Sequence, residues 1–421
     1  MSREFRFVHA ADVHLDTPYR SRDPELRRRL AEAGRSAFQA LVDLAIGERA
    51  DALVIAGDLF DNQFLTVGTE LLLVETLERA TQASLTVVAS TGNHDPGRAG
   101  YRAHDMAWPM ERFHLIREHA AVKVPVKVGE DVVGWIVGTG HQTDHEGTNL
   151  AAALPSAPGP EPAVAVVHAA VESAAAAESH DRYAPCTIRD LAGKGYAYWA
   201  LGHVHVRQQV QDDPPAWYPG NLQGRHFGET GAKGALLVTL KNGQAPCVEF
   251  RPLAPVRWER VILDGLVDVH TAAEVVQRVA RSFTPLAEAP DALPSQAWML
   301  RFELAGPCPL VAQLRDPENL AELGAQLRDE LGVLYVEVRD TGLHRPIALD
   351  EHRGRPHLLG LALEVVDQAR SDEAVLNRIG RLGLAHPRAA EGSDVRRAYL
   401  RDLLADLDLA AAEALLREAP G

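Results

Sequence analysis

Apolar residues cluster into short runs over the first 250 positions, and between the early runs lie longer stretches with a helical repeat. Residues 5–10, 53–56, 85–89, 132–137, 164–167, 196–201, 235–240 and 248–250 are mostly aliphatic, β-branched or aromatic, which predicts buried strands. Residues 27–47 place Leu30, Phe38, Leu41, Leu44 and Ala45 on one face, and residues 69–80 do the same with Leu72, Leu73, Thr76 and Leu77; both predict amphipathic helices. Early strands separated by helices predict βαβ units, and the closer spacing of the later ones predicts antiparallel or mixed pairing. The expected fold class is α/β, a sandwich of two sheets flanked by helices.

A second, smaller pattern follows. Strands at 258–263, 298–304 and 333–338 alternate with helices at 272–283 and 317–331, which predicts a small α/β cap. Beyond it the chain turns helical, at 358–369, 373–384 and 394–417, the last with Ser393 as its N-cap. The expected division is therefore 1–256, 257–342 and 343–421. The tail helices either pack on the cap or dock a partner, and 69–80 faces either the core or a second copy. The Ala/Pro-rich stretches 151–162 and 284–295 read as loops inside their domains.

Composition narrows the function. The 421 residues are 46% hydrophobic and 24% charged, as in a globular protein. With 43 basic against 58 acidic residues, the net charge of −15 excludes a broadly basic nucleic-acid wrapper, so any such contact needs a local patch or bound cations. Cys186, Cys247 and Cys308 form no CxxC pair and suit a reducing compartment. The longest apolar stretch, 163–177, is interrupted by His168, Glu172 and Ser173, short of the roughly 18 residues of a membrane span. No secretory signal opens the chain, so a cytoplasmic protein without a membrane partner is expected. GETGAKG (228–234) lacks the spacing of a nucleotide-binding phosphate loop, so any ATP dependence belongs to a partner.

The chemistry lies where strands end. Asp12 and His14 follow the first, Gly57-Asp58 the second, Gly92-Asn93-His94-Asp95 the third; His168 closes a later one, and Gly202-His203-Val204-His205 follows the next. Each segment alone has a bland reading, a turn or a structural histidine. Five in order, each after a strand, point to one site of mixed imidazole, carboxylate and amide oxygen, which suits Mn, Fe or Zn. Two such ions about 3.5–4 Å apart lower the pKa of a shared water and clamp a phosphoryl group.

These motifs resemble the signature of the calcineurin-like metallophosphoesterases. ADVHLD (11–16) and AGDLFDN (56–62) resemble the DNA-repair nucleases of the SbcD type; YAPC (183–186), YWALGHVHVR (198–207) and YPGNLQGRHFGETGAKG (218–234) resemble the bacterial YhaO-type branch. The resemblance covers about residues 5–240. It implies Asp12, His14 and His205 on one metal, Asn93, His168 and His203 on the other, and Asp58 bridging. It further implies His94 beside the scissile phosphate, DNA as substrate, Mn²⁺ as the usual ion, a homodimer and a coiled-coil ATPase partner of the SbcC/YhaN type. Two positions depart from the pattern: Asp61 stands where archaeal relatives carry a histidine, and His168 is a single histidine.

On this reading His94, oriented by Asp95, stabilises charge on the phosphate or protonates the leaving oxygen. Arg225 and His226 either line the substrate groove or close a turn. Arg20 and Arg22, with Arg27, Arg28, Arg29 and Arg35, either contact phosphates or form a solvated helix face. The alternatives to a DNA nuclease are a phosphoesterase for a small molecule such as a cyclic nucleotide, and a non-enzymatic organiser of an ATPase complex.

Overall fold

The computed structural model describes residues 4–172, 174, 183–241, 244–379, 394–405 and 407–416. The chain divides into two compact units, Met1–Glu259 with Leu286–Met299, and Arg260–Pro285 with Leu300–Gly421. The helical tail thus falls in one unit with most of the small sheet, and residues 286–299 belong with the first.

In the first unit, β1 (Phe5–Ala10), α1 (Pro24–Gly47), β2 (Ala52–Ala56), α2 (Val67–Gln82), β3 (Thr86–Ser90) and β4 (Phe113–Ile116) follow in order. The four strands pair in parallel. Next come β5 (Val122–Val128), β6 (Asp131–Gly138), β7 (Ala163–His168), β8 (Tyr198–Gly202), β9 (Gln208–Asp212) and β10 (Pro215–Tyr218). They form a second sheet ordered β5-β6-β7-β8-β10-β9. The chain then returns to the first sheet with β11 (Gly234–Leu240) and β12 (Cys247–Pro252), giving β12-β11-β1-β2-β3-β4.

Period-two alternation on strands buried on both faces explains the layering. Phe5 and Phe7 of β1, Val54 of β2, Val164 and Val166 of β7 and Tyr198 and Ala200 of β8 fill the space between the sheets. Their neighbours Val8, Ala10, Leu53 and Ile55 face the other way, onto Phe38 and Leu41 of α1 and Leu73 and Leu77 of α2. Ala165, Val167, Trp199 and Leu201 pack with Leu150, Leu154 and Leu191 on the far side of the second sheet. Each fully buried side chain of this size contributes about 1.5–3 kcal/mol. Helix α1 begins where Asp23 accepts from the Glu25 amide, with Pro24 in its first turn.

β4, β5, β9 and β10 are not among the strands the apolar runs predict. β4 is only four residues long. β5 reads VKVPVKV and β9 reads QQVQD, each at an edge of its sheet, where lysines, glutamines and a proline are tolerated because one side of the strand is unpaired.

The second unit contains most of a three-stranded sheet ordered β13 (Val256–Leu263), β14 (Ala297–Pro307) and β15 (Tyr335–His344), with helices Ala272–Ala287 and Pro317–Leu331. Its helical region holds Leu358–Ser371, Glu373–Ile379, Asp394–Leu403 and Leu407–Leu415. The single helix expected over 394–417 is therefore two. Arg370 ends the first of them by donating to the Leu404 carbonyl at 2.9 and 2.6 Å and to that of Ala405, while pairing with Asp408 at 3.0 Å. Ser393 and residues 380–384 lie outside the described residues.

Candidate metal centre

All five chemical segments sit at the C-terminal ends of parallel strands, three on the first sheet and two on the second. Asp12 and His14 reach a common region, but not through an extended pleat. Both have φ of 50°, and Asp58 (53°) and His203 (104°) are also left-handed. Such backbone is unfavourable for side-chain-bearing residues and recurs at functional sites. The segments are locked together by main-chain bonds from the Asp12 amide to the Gly57 carbonyl (3.1 Å) and from the His14 amide to the Asp58 carbonyl (2.9 Å).

Glycines create the room. A Cβ on Gly57, whose φ is 84°, would lie 2.3 Å from His168 Nδ1; one on Gly92 would lie 2.2 Å from Asp58 Oδ1; one on Gly202 would lie 1.7 Å from the Ala56 carbonyl oxygen. Glycine is required here by close approach.

Three overlapping groups bring donor atoms within 4.8 Å of one another: Asp12, His14 and His205; His14, Asp58 and His94; and Asp12, Asp58 and His168. His14 Nε2 lies 3.2 Å from His205 Nε2 and 3.6 Å from Asp58 Oδ2. His168 Nε2 lies 3.4 Å from Asp58 Oδ2 and 3.0 Å from Asn93 Oδ1. Asp58 thus stands between two imidazoles that arrive from opposite sheets. The His203 amide donates to both Asp12 oxygens at 3.1 Å. Its ring stands edge-on to His168, centroids 5.3 Å apart, and outside the three groups.

The donor set fits divalent cations. His14 Nδ1 meets Asp61 Oδ1 at 2.8 Å, His205 Nδ1 meets Glu229 Oε1 at 2.8 Å, and His168 Nδ1 meets the Ala56 carbonyl at 2.9 Å. Each of these oxygens accepts, so each Nδ1 carries the hydrogen and each Nε2 of a neutral ring presents a lone pair. Lone pairs then face each other between His14 and His205, and face an amide oxygen at His168. A cation relieves that repulsion. Burial holds His14 down to about 4, so its ring is neutral and able to ligate. A proton is the competing relief at His168 and His205: burial opposes it at both, but the Asp58 charge raises His168 to about 9, and the bonds to Asp12 and Glu229 raise His205.

The carboxylate at His94 is not the expected one. Asp95 is buried and accepts from the amides of Gly92 (2.6 Å), Leu59 (2.7 Å) and Asp58 (3.2 Å), so it fastens the turn. Burial, then the Asp58 charge, raises it to about 7. Asp61 takes the orienting position instead, 3.0 Å from His94 Nδ1. Burial lowers the His94 pKa, yet the bond to Asp61 and the nearby Asp58 carry it up to about 9.

Arg225 belongs to the site, while its neighbour only borders it. Arg225 is half-buried and bonds Glu229 through its amide (2.8 Å) and guanidinium (2.9 Å). His226 lines the same cavity with a largely exposed ring. Arg20 and Arg22 are exposed and do not line it. Arg28 pairs with Glu25 and Glu32, as a solvated helix face does, whereas Arg35 reaches the largely buried carboxylate of Asp16 in the loop before the helix. Sequence reasoning missed Glu229 and Asn221, which hydrogen-bond each other at 2.8 Å behind His205. It noted Asp61 only as a departure. A carboxylate three positions after Asp58 was the available sign; nothing marked Glu229.

A two-sheet sandwich that gathers imidazoles, carboxylates and an amide at its strand ends is built for metal-dependent hydrolysis of phosphoesters. Residues 5–207 match the calcineurin-like phosphoesterase family, and the chain belongs to the calcineurin-like metallophosphoesterases. It is similar to the uncharacterized metallophosphoesterase YhaO of Bacillus subtilis (strain 168), 33% identical over 291 residues, 68% of this chain and 69% of that protein. It is also similar to the DNA double-strand break repair protein Mre11 of Archaeoglobus fulgidus, at 29% identity over 62% of this chain and 63% of the relative. The Mre11 of Methanopyrus kandleri is 28% identical over 77% and 74%. Among the described residues no helix is long and apolar enough to cross a membrane.

Proposed function

We propose that the chain is a Mn²⁺-dependent nuclease that hydrolyses DNA phosphodiesters, acting in DNA repair in the cytoplasm as a homodimer with a coiled-coil ATPase. The observation that carries the catalytic part is the convergence of donor atoms from both sheets around Asp58, with His94 beside them. The likeness to the Mre11 repair proteins supports the substrate. In this reading the small α/β cap expected at 257–342 positions DNA beside the site, and the helical region at 343–421 docks the ATPase.

In this reading Asp12, His14 and His205 hold one ion, Asn93, His168 and His203 the other, and Asp58 serves both. The ions, when bound, supply an activated water and positive charge for the phosphoryl oxygens. His14, His168 and His205 are oriented by Asp61, the Ala56 carbonyl and Glu229 respectively. His94, anchored through Nδ1 and protonated at neutral pH, offers Nε2 to the leaving oxygen, a role that contributes about 10²–10⁴-fold.

The test is cleavage of labelled linear DNA beside bis-p-nitrophenyl phosphate, with and without Mn²⁺. DNA cleavage that requires Mn²⁺ is expected. Hydrolysis of the small ester with intact DNA, even beside a partner ATPase, overturns the nuclease and leaves a small-molecule phosphoesterase.

A further inference from the structure

A cavity of about 900 Å³ opens over the donor cluster, and four fixed cations line it among the described residues: Arg207, Arg225, Lys233 and Arg257. Two are neutralised in place. Arg225 is matched by Glu229 at 2.9 Å, and Arg257 by Glu259 at 2.7 Å and Asp291 at 2.8 Å. Arg207 and Lys233 make no ion pair among the described residues. The Arg207 guanidinium lies 3.7 Å from the centroid of the Phe250 ring, which holds its plane and leaves its N–H edge without an acceptor among the described residues. Lys233 is 7% exposed, and its ammonium donates to the His205 carbonyl at 2.9 Å, with two N–H groups left over. A buried ammonium without a counter-charge is costly unless an anion joins it.

Both cations are tied to His205, whose imidazole belongs to the donor cluster: Arg207 is two residues further along the chain, and Lys233 grips its main chain. We infer that Arg207 and Lys233 form a subsite for a second phosphate of the substrate, the backbone phosphate next to the one being hydrolysed. The inference rests on the nuclease reading and adds a preference for polynucleotides over single phosphoesters. Guanidinium and ammonium groups suit such a group because it accepts several charge-assisted hydrogen bonds at once.

The experiment compares thymidine 5′-monophosphate with thymidine 3′,5′-bisphosphate binding to the Mn²⁺-loaded protein by titration calorimetry. It needs no turnover. The bisphosphate is expected to bind about tenfold more tightly, about 1.4 kcal/mol. In Arg207→Ala the ratio of the two affinities should approach one, and in Lys233→Met it should fall. Taking the ratio within each variant cancels general damage to the site. Equal affinities in the unmodified protein, or a ratio that survives both substitutions, overturn the subsite. A tenfold ratio with intact linear DNA supports the subsite and removes the nuclease reading. DNA cleavage without a bisphosphate advantage does the reverse.

Discussion

Asp61 Oδ1 is shared by two imidazoles, lying 2.8 Å from His14 Nδ1 and 3.0 Å from His94 Nδ1. Both rings belong to the donor groups and His94 also lines the cavity, so one carboxylate sets the orientation of both. Asp61→Asn keeps the shape and removes the charge. Turnover should drop about 10–100-fold, as for other groups that orient metal ligands. Because Asp61 helps raise His94 to about 9, the alkaline fall in kcat should also move to lower pH. A kcat–pH profile identical to that of the unmodified protein would remove Asp61 from this role.

Asp58 and His94 should separate metal binding from turnover. Asp58 stands between the two parts of the donor cluster, and Asp58→Ala is expected to lose both metal and activity. His94→Ala should keep bound Mn²⁺ and lose about 10²–10⁴-fold in rate. Metal content by elemental analysis, read beside the rate on bis-p-nitrophenyl phosphate, makes the comparison. Equal metal loss in the two variants contradicts the division.

Gly92 and Gly202 crowd different partners, so alanine at each should fail differently. At Gly92 the new methyl would meet the Asp58 carboxylate at 2.2 Å; at Gly202 it would meet the β2 backbone at 1.7 Å. Gly92→Ala should weaken Mn²⁺ binding more than it lowers the thermal midpoint. Gly202→Ala should destabilise the fold by about 1–3 kcal/mol or more, as overpacked cores do. Calorimetric metal titration and thermal melts read the two effects, and a reversed pattern would contradict the geometry.

After chelation, stability should fall between about pH 6.5 and 9. His94 and His168 are both raised from 6.5 to about 9, so the folded chain holds protons that the unfolded chain releases. That contribution is complete below pH 6.5 and is lost as pH rises through 9. His168, fully buried, should supply most of it; His94, with 43% of its side chain exposed, is screened by water. Asp95, raised to about 7, adds the same sign from about pH 4 upward. Urea midpoints at several pH values measure the slope, and a midpoint that rises toward pH 9 refutes it. Saturating Mn²⁺ should flatten it, because the ion replaces those protons.

The layered fold and the cluster were largely readable in the sequence, because buried parallel strands are continuous apolar runs that stop where Asp12, Asp58, Asn93, His168 and His203 begin. What the sequence hides is pairing across distance. His205 and Glu229 come from separate turns, and the Asp61 contact to His14 needs β1 and β2 already side by side. Asp95 misled because it adjoins His94 in the chain, whereas its carboxylate points into amides of its own turn and of the turn after β2. Polar edge strands such as β9 carry no hydrophobic signal. The break near Leu404 depends on Arg370, more than thirty residues earlier.

Of the seven assigned donors, four come from the first sheet and three from the second. A chain emerging from the ribosome carries Asp12, His14, Asp58 and Asn93 long before His203 and His205 are made, and those first four cannot assemble the centre unaided. Hydrolytic power therefore arrives late in biosynthesis, when the two halves of the sandwich close. A polypeptide cut short before that point lacks the imidazoles the second sheet supplies.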